Sequence, residues 1–290
     1  MQPILSDLLH LLKLERIEEN IFRGESRDIG SPRVYGGQVL GQALSAASAT
    51  VIDERQVHSL HAYFLRAGDV EADIVYNVDR ARDGRSFSNR RVTAIQHGRQ
   101  IFNMTASFQK VEDGLEHQSA MPKVPPPEEL TDIREITAEA LDRIPEKMHH
   151  YYTHERPFEV RPIQPVGLLS AEKSEPTQLI WIKAVDHLPD DVEIHRSLLA
   201  YVSDYQLVAT STLPHGIRLD RDKLQLASLD HAMWFHRPFR VDDWLLYSME
   251  SPNAGAARGL ARGEIFSRDG VLVASTAQEG LIRIWSNPGD

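Results

Sequence analysis

The chain has 290 residues, 41% hydrophobic and 26% charged, an ordinary globular composition long enough for one large domain or two of usual size. A formal net charge of −10 excludes a broad electrostatic grip on nucleic acid, and the lack of any cysteine excludes disulfides, thiolate metal sites and a cysteine nucleophile. No run approaches 18 uncharged apolar residues and no targeting signal is legible at either end, so no membrane span is expected and the expected location is cytoplasmic.

In chain order, MQPILSDLLHLLKLERIEEN reads as an amphipathic helix. A second helix is predicted after the Gly36-Gly37 pair, where Val39, Leu40, Ala43, Leu44 and Ala47 share one face. Four strand-like runs follow, opening at Val57, Ala72, Ser86 and Arg99 and each closed by glycine, aspartate or a charge cluster. From Ser119 to Arg156 the texture changes, and Pro125-Pro126-Pro127 favours an extended spacer. The second half repeats the plan: two introductory strands near Phe158 and Gln178, a helix from about Glu193 to Thr212, then runs opening at Leu224, Trp244, Ala257 and Val271. The expected division is therefore a first unit over 1–118, a linker over 119–156 and a second unit over 157–290.

The halves also echo in detail. His61-Ala62 recurs as His231-Ala232, 170 residues on, and Thr105–Gln109 falls on Ser275–Glu279 at the same spacing. A helix wrapped by an antiparallel sheet buries one sheet face but leaves edges that need a partner, which a second copy in the same chain supplies.

The segments FRGES, VYGGQVLGQAL, VHSLHAYFLRAGD, RDGRSFSNRRVTAIQHG, IFNMTASFQ, DHAMWFHRPF, WLLYSMESP and ARGLARGEIFSRDGVLVASTAQEG occur in that order. Together they resemble the acyl-CoA thioesterase II (TesB) family of double hotdog proteins, over nearly the whole chain. The resemblance implies an α+β double hotdog in which two central helices are each wrapped by an antiparallel sheet. It also implies hydrolysis of fatty acyl-CoA to free acid and CoA, no metal or other cofactor, and a homo-oligomer, a dimer or tetramer of double hotdog chains. The family's catalytic aspartate, threonine and glutamine fall here on Asp204 in AYVSDY, Ser228 in ASLDH and Gln278 in STAQEG. Serine in place of threonine keeps the hydroxyl but loses the γ-methyl that stiffens χ1.

Patterning leads to the same three residues by a weaker route. Ile194, Leu198, Val202 and Tyr205 form an apolar helical stripe with Asp204 at its margin; Ser228 shares strand parity with Leu224 and Leu226, and Gln278 with Leu272, Ala274 and Ile282. Polar groups interrupting apolar faces need partners, and these three could satisfy one another around a water. The 170-residue spacing sets Ser228 on His58 and Gln278 on Phe108, so one active site per chain is expected. His58 is the rival general base, and Gly36-Gly37, opening a helix, is a candidate oxyanion site. For the CoA phosphates the candidates are Arg85, Arg90 and Arg91, in a patch with Arg80 and Arg82. His150 and His154 lack a third ligand, so no metal site is expected, and the absence of a GxSxG elbow disfavours a Ser-His-Asp route. A hotdog hydratase or dehydratase, or a non-catalytic acyl-CoA-binding protein, remain the alternatives.

Overall fold

The computed structural model describes residues 1–30, 33–51, 55–139, 141–143, 149, 153–164, 172–216 and 224–284. An N-terminal helix α1 (Pro3–Leu12) and a short hairpin, β1 (Glu15–Glu18) and β2 (Ile21–Gly24), lead to α2 (Gly36–Ser48) and four long strands: β3 (Arg55–Phe64), β4 (Ile74–Asp83), β5 (Phe87–Gln96) and β6 (Arg99–Lys110). After α3 (Ile133–Glu139) the plan recurs as β7 (Phe158–Pro162), β8 (Thr177–Ala184) and α4 (Val192–Ser203), then β9 (Leu224–Ser228), β10 (Asp230–Phe235), β11 (Leu245–Gly255), β12 (Arg258–Ser267) and β13 (Leu272–Ile284). All strand pairs are antiparallel, in the order β1-β2-β4-β5-β6-β3-β10-β13-β12-β11-β8-β7, with β9 also on β13. The order is a palindrome about the β3–β10 seam, so each half supplies the other's missing neighbour at that edge.

The seam also corrects the repeat spacing. Opposed residues in an antiparallel pair share a face, and at the seam Ala62 opposes His231 while His61 opposes Ala232. His231 is buried and His61 exposed, so the His-Ala echo puts like residues on opposite faces. A one-residue slide to 171 restores the faces, setting Tyr63 on Trp234, Phe64 on Phe235 and Arg66 on Arg237. His58, at the register shift between Val57 and Ser59, then answers to Leu229, which separates β9 from β10. Val57, not His58, occupies the Ser228 position, and on the last strand the spacing is 172, since Ala106 opposes Arg90 as Gln278 opposes Ala261. The first unit still lacks both the hydroxyl and the amide.

The two central helices pack antiparallel across a stripe of small residues on α2. A Cβ on Gly37 would lie 2.1 Å from the Tyr201 carbonyl oxygen, one on Gly41 would lie 3.1 Å from that of Ser197, and Ser45 Oγ donates to Ser197 Oγ at 3.2 Å. Small side chains every fourth residue let the backbones close to this distance. As a result the N-terminus of α2 abuts the C-terminus of α4. Helix α4 ends at Ser203, not at the expected Thr212; Asp204 is its C-cap, Gln206 turns the chain at φ 63°, and a separate 3₁₀ helix covers Val208–His215.

In the proline-rich segment Pro126 is extended while Pro127–Glu129 form a 3₁₀ turn, and the segment is packed. Met121, Val124 and Leu130 lie on a cluster of Trp181, Trp244, Leu246, Phe266 and Leu272, and Trp181 Nε1 donates to the Pro125 carbonyl at 3.0 Å.

Candidate active site

Asp204, Ser228 and Gln278 meet where α2 and α4 touch. Gln278 Nε2 donates to Asp204 Oδ1 at 2.7 Å and to Ser228 Oγ at 3.0 Å, while the Gly37 N–H donates to Asp204 Oδ2 at 3.0 Å. The amide orientation follows from chemistry: a carboxylate only accepts, so the NH₂ end of Gln278 must face it. Both amide hydrogens are thereby used. Gln278 Oε1 is buried without a partner among the described residues.

Burial is the main influence on Asp204. Loss of solvation pushes its carboxyl up to about 6, against the pull of hydrogen bonds from Gln278, Gly37 and Ser228. The positive end of the α2 dipole, delivered through Gly37, favours the anion at this spot. A carboxyl of this kind is ionised at neutral pH yet basic enough to take a proton.

A cavity of about 550 Å³ opens beside the carboxylate, lined by Gly36, Asp204 and Ser228 together with Phe64, Val39, Tyr201 and Leu226. Gln278 is not in the lining; it stands behind Asp204 and Ser228 and aligns both. Gly36 faces the cavity, where a Cβ would come within 2.8 Å of Asp204 Oδ2. As the first residue of α2 it has no intrahelical acceptor for its N–H. The two glycines are placed differently: the Gly37 N–H is committed to Asp204, whereas Gly36 is in the cavity lining.

Two sets of expected site residues are not brought to this cavity. His58 does not line this cavity: its Nε2 lies 2.8 Å from Ser107 Oγ, its ring meets the edge of Phe87, and partial burial lowers its pKa. None of Arg85, Arg90 and Arg91 lines it either. Arg85 and Arg91 are exposed elsewhere, and Arg90 is fully buried, bonded to Thr50 Oγ1 and to the carbonyls of Thr50, Arg82 and Asn89, and paired with Asp83 at 2.7 Å. Its donors are spent inside the protein. Arg90→Ala is expected to cost about 3 kcal/mol in urea unfolding while leaving KM for thioester substrate unchanged, because it removes the partner of several buried acceptors. As for the histidine pair, His150 lies outside the described residues.

The cavity carries other arginines that charge density alone did not reveal: Arg27, Arg33, Arg66, Arg134 and Arg156. Arg27 pairs with Asp7 at 3.5 Å, Arg134 with Asp132 at 2.9 Å, and Arg156 lies over the Tyr205 ring. Arg33 and Arg66 are exposed and have no carboxylate partner among the described residues. The legible signal was position: Arg33 stands three residues before Gly36, and Arg66 two residues beyond the end of β3.

Residues 23–109 match the acyl-CoA thioesterase N-terminal domain model and residues 148–281 the acyl-CoA thioesterase model. Acyl-CoA thioesterase 2 of Haemophilus influenzae is 46% identical over 98% of this chain and 99% of its own length. The chain belongs to the acyl-CoA thioesterase family. Among solved structures, the acyl-CoA thioesterase II TesB2 of Mycobacterium marinum superposes with a TM-score of 0.79 at 43% identity, covering 97% of this chain and 98% of that one. A hot dog fold protein of unknown function from Alicyclobacillus acidocaldarius, with TM-score 0.76 at 19% identity over 96% and 98% of the two chains, shares the architecture. As a TesB-type thioesterase the chain is a thioester hydrolase with an α+β double hotdog fold. Among the described residues, no helix of this thioesterase is long and apolar enough to cross a membrane.

Proposed function

We propose that this chain hydrolyses fatty acyl-CoA by single-step attack of water, with Asp204 as general base. The observation that carries the reading is a partly buried carboxylate, raised to about 6, that shares one glutamine amide with a serine hydroxyl at the wall of a largely apolar cavity. Asp204 takes a proton from water held between it and the Ser228 hydroxyl, and the water oxygen bonds to the thioester carbonyl carbon. Gly36 lines the same space, and its N–H, without an intrahelical acceptor at the α2 terminus, is the donor we assign to the oxyanion. Collapse of the tetrahedral adduct breaks the C–S bond, and the proton on Asp204 leaves with the CoA sulfur. Gln278 is a positioning residue: it fixes the rotamers of acid and hydroxyl, compensating for the looser χ1 of a serine.

Arg33 and Arg66 are the cations we assign to the CoA phosphates, since both are exposed at the cavity and free of acidic partners among the described residues. Arg33→Glu with Arg66→Glu should raise KM for acyl-CoA by about tenfold or more and leave KM for the matching acyl-pantetheine within about twofold. Equal changes for both substrates would remove the arginines from the reading. Thiol release from saturated acyl-CoA tests the hydrolase itself. Loss of 2-enoyl absorbance without thiol release would instead indicate a hydratase, and tight binding with neither signal a non-catalytic binder.

A further inference from the structure

The residues that line the cavity differ in exposure. Phe64, Leu226 and Leu229 are partly buried, Leu65 is 46% exposed, and Arg33 and Arg66 are exposed. A second set, the dry arm, consists of Leu8, Leu11, Val39, Ile133 and Tyr201, none more than 8% exposed, with the ion-paired Arg27 and Arg134 also in the lining. An alkyl chain gains about fourfold in affinity for each methylene removed from water, and the dry arm offers that burial. A phosphorylated nucleotide belongs with the exposed arginines.

Helix α1 supplies one wall of the dry arm. Ile4, Leu8 and Leu11 follow the i, i+4, i+7 spacing of a single helical stripe and line the cavity. Leu12, off that stripe, packs towards Gly41 of α2 instead. This helix belongs to neither sheet. It is tied down at Gln2, whose N–H donates to Asp186 Oδ2 at 2.6 Å and whose Nε2 donates to the Val185 carbonyl at 3.0 Å, and through Asp7 to Arg27. Its cavity-facing side chains can therefore change without disturbing a strand register.

Resting on the thioesterase reading, we propose that Ile4, Leu8 and Leu11 of α1, with Ile133, form the acyl-chain subsite and set the longest chain accepted. The test measures both binding and turnover of butyryl-CoA and palmitoyl-CoA. Binding is measured by calorimetry on an Asp204→Asn background, where the ligand survives, and turnover on the parent background. Leu8→Trp fills the arm and displaces at least two methylenes, so palmitoyl-CoA should bind about tenfold or more weaker, with butyryl-CoA held within about twofold. Should Leu8→Trp fail to fold by thermal unfolding, Ile4→Trp, at a half-buried position that tolerates bulk, asks the same question. A change equal for the two chain lengths, or no change, overturns the subsite. A parent chain that binds with this length dependence but releases no thiol keeps the subsite and overturns the hydrolase reading; normal hydrolysis with length-indifferent variants does the reverse.

Discussion

Asp204→Asn is expected to lower kcat by about 10²–10⁴-fold, the usual worth of a positioned general base. The amide keeps the shape of the carboxyl and can still accept from Gln278, so loss of turnover in a folded variant isolates proton transfer from packing. The pH dependence should carry the same signature. With Asp204 titrating at about 6, kcat/KM of the parent enzyme should be flat above that pH and fall about tenfold per unit below it, because only the ionised acid accepts a proton. The variant should lose this limb. A residual limb near 6 in Asp204→Asn would assign the titration to another group.

The same substitution should affect stability in the opposite direction. The folded pKa of Asp204 lies above the ordinary 3.8, so its contribution to stability is fully present below the unfolded value and is lost as pH rises through about 6. The rise from 3.8 to about 6 corresponds to about 3 kcal/mol. Asp204→Asn should therefore unfold at higher urea than the parent above pH 6, by up to about 3 kcal/mol. The gap should close below about pH 4, where both chains carry a neutral group. The amide's own cost, an N–H facing either Gly37 or Gln278, reduces the gain but not its pH dependence.

Gly37→Ala should be the most damaging glycine-to-alanine change among the described residues, having the closest approach to backbone. Its Cβ would sit 2.1 Å from the Tyr201 carbonyl oxygen and 2.4 Å from the Tyr35 ring, and a helix carbonyl cannot swing aside as a side chain can. The two central helices must separate by about an ångström, at a cost of about 3 kcal/mol in urea unfolding. The separation also withdraws the Gly37 N–H from Asp204, so any folded fraction should show its kcat/KM limb displaced above 6. Gly41→Ala is the control. There the nearest contacts are 3.0 Å to Leu12 Cδ2 and 3.1 Å to the Ser197 oxygen, and the strain is offset by about 1 kcal/mol of gained helix propensity, so near-neutral stability and unchanged kcat are expected. Equal costs for the two alanines would mean the helix seam is looser than these distances describe.

The three second-unit residues were reached through the family resemblance, with patterning a weaker support: Ser228 and Gln278 interrupt apolar strand faces, and Asp204 lies at the margin of an apolar helical stripe. The phosphate candidates were chosen by local density of arginine, which says nothing about direction. Arg90 lies in a strand with its side chain turned into the protein, where Thr50 and Asp83 use up its donors, whereas Arg33 and Arg66 are far apart in sequence and become neighbours of one cavity only in the fold. The repeat spacing erred for a related reason. A two-residue identity fixes an alignment to within a residue or so, and in a strand one residue is the difference between core and solvent.

Periodicity, glycine placement and ordered motifs, all local properties of the chain, were enough to indicate a duplicated helix-and-sheet unit and the family resemblance, and it was the resemblance that pointed to the three polar residues of the second unit. The tertiary structure decided everything that depends on distance across the chain: that α2 offers Gly37 to an aspartate of the other unit, that burial lifts this acid to about 6, and that α1 lends apolar side chains to the cavity lining. Side-chain order along a strand or helix is set by neighbours a few bonds away, whereas desolvation and close approach arise only when segments remote in sequence exclude water together.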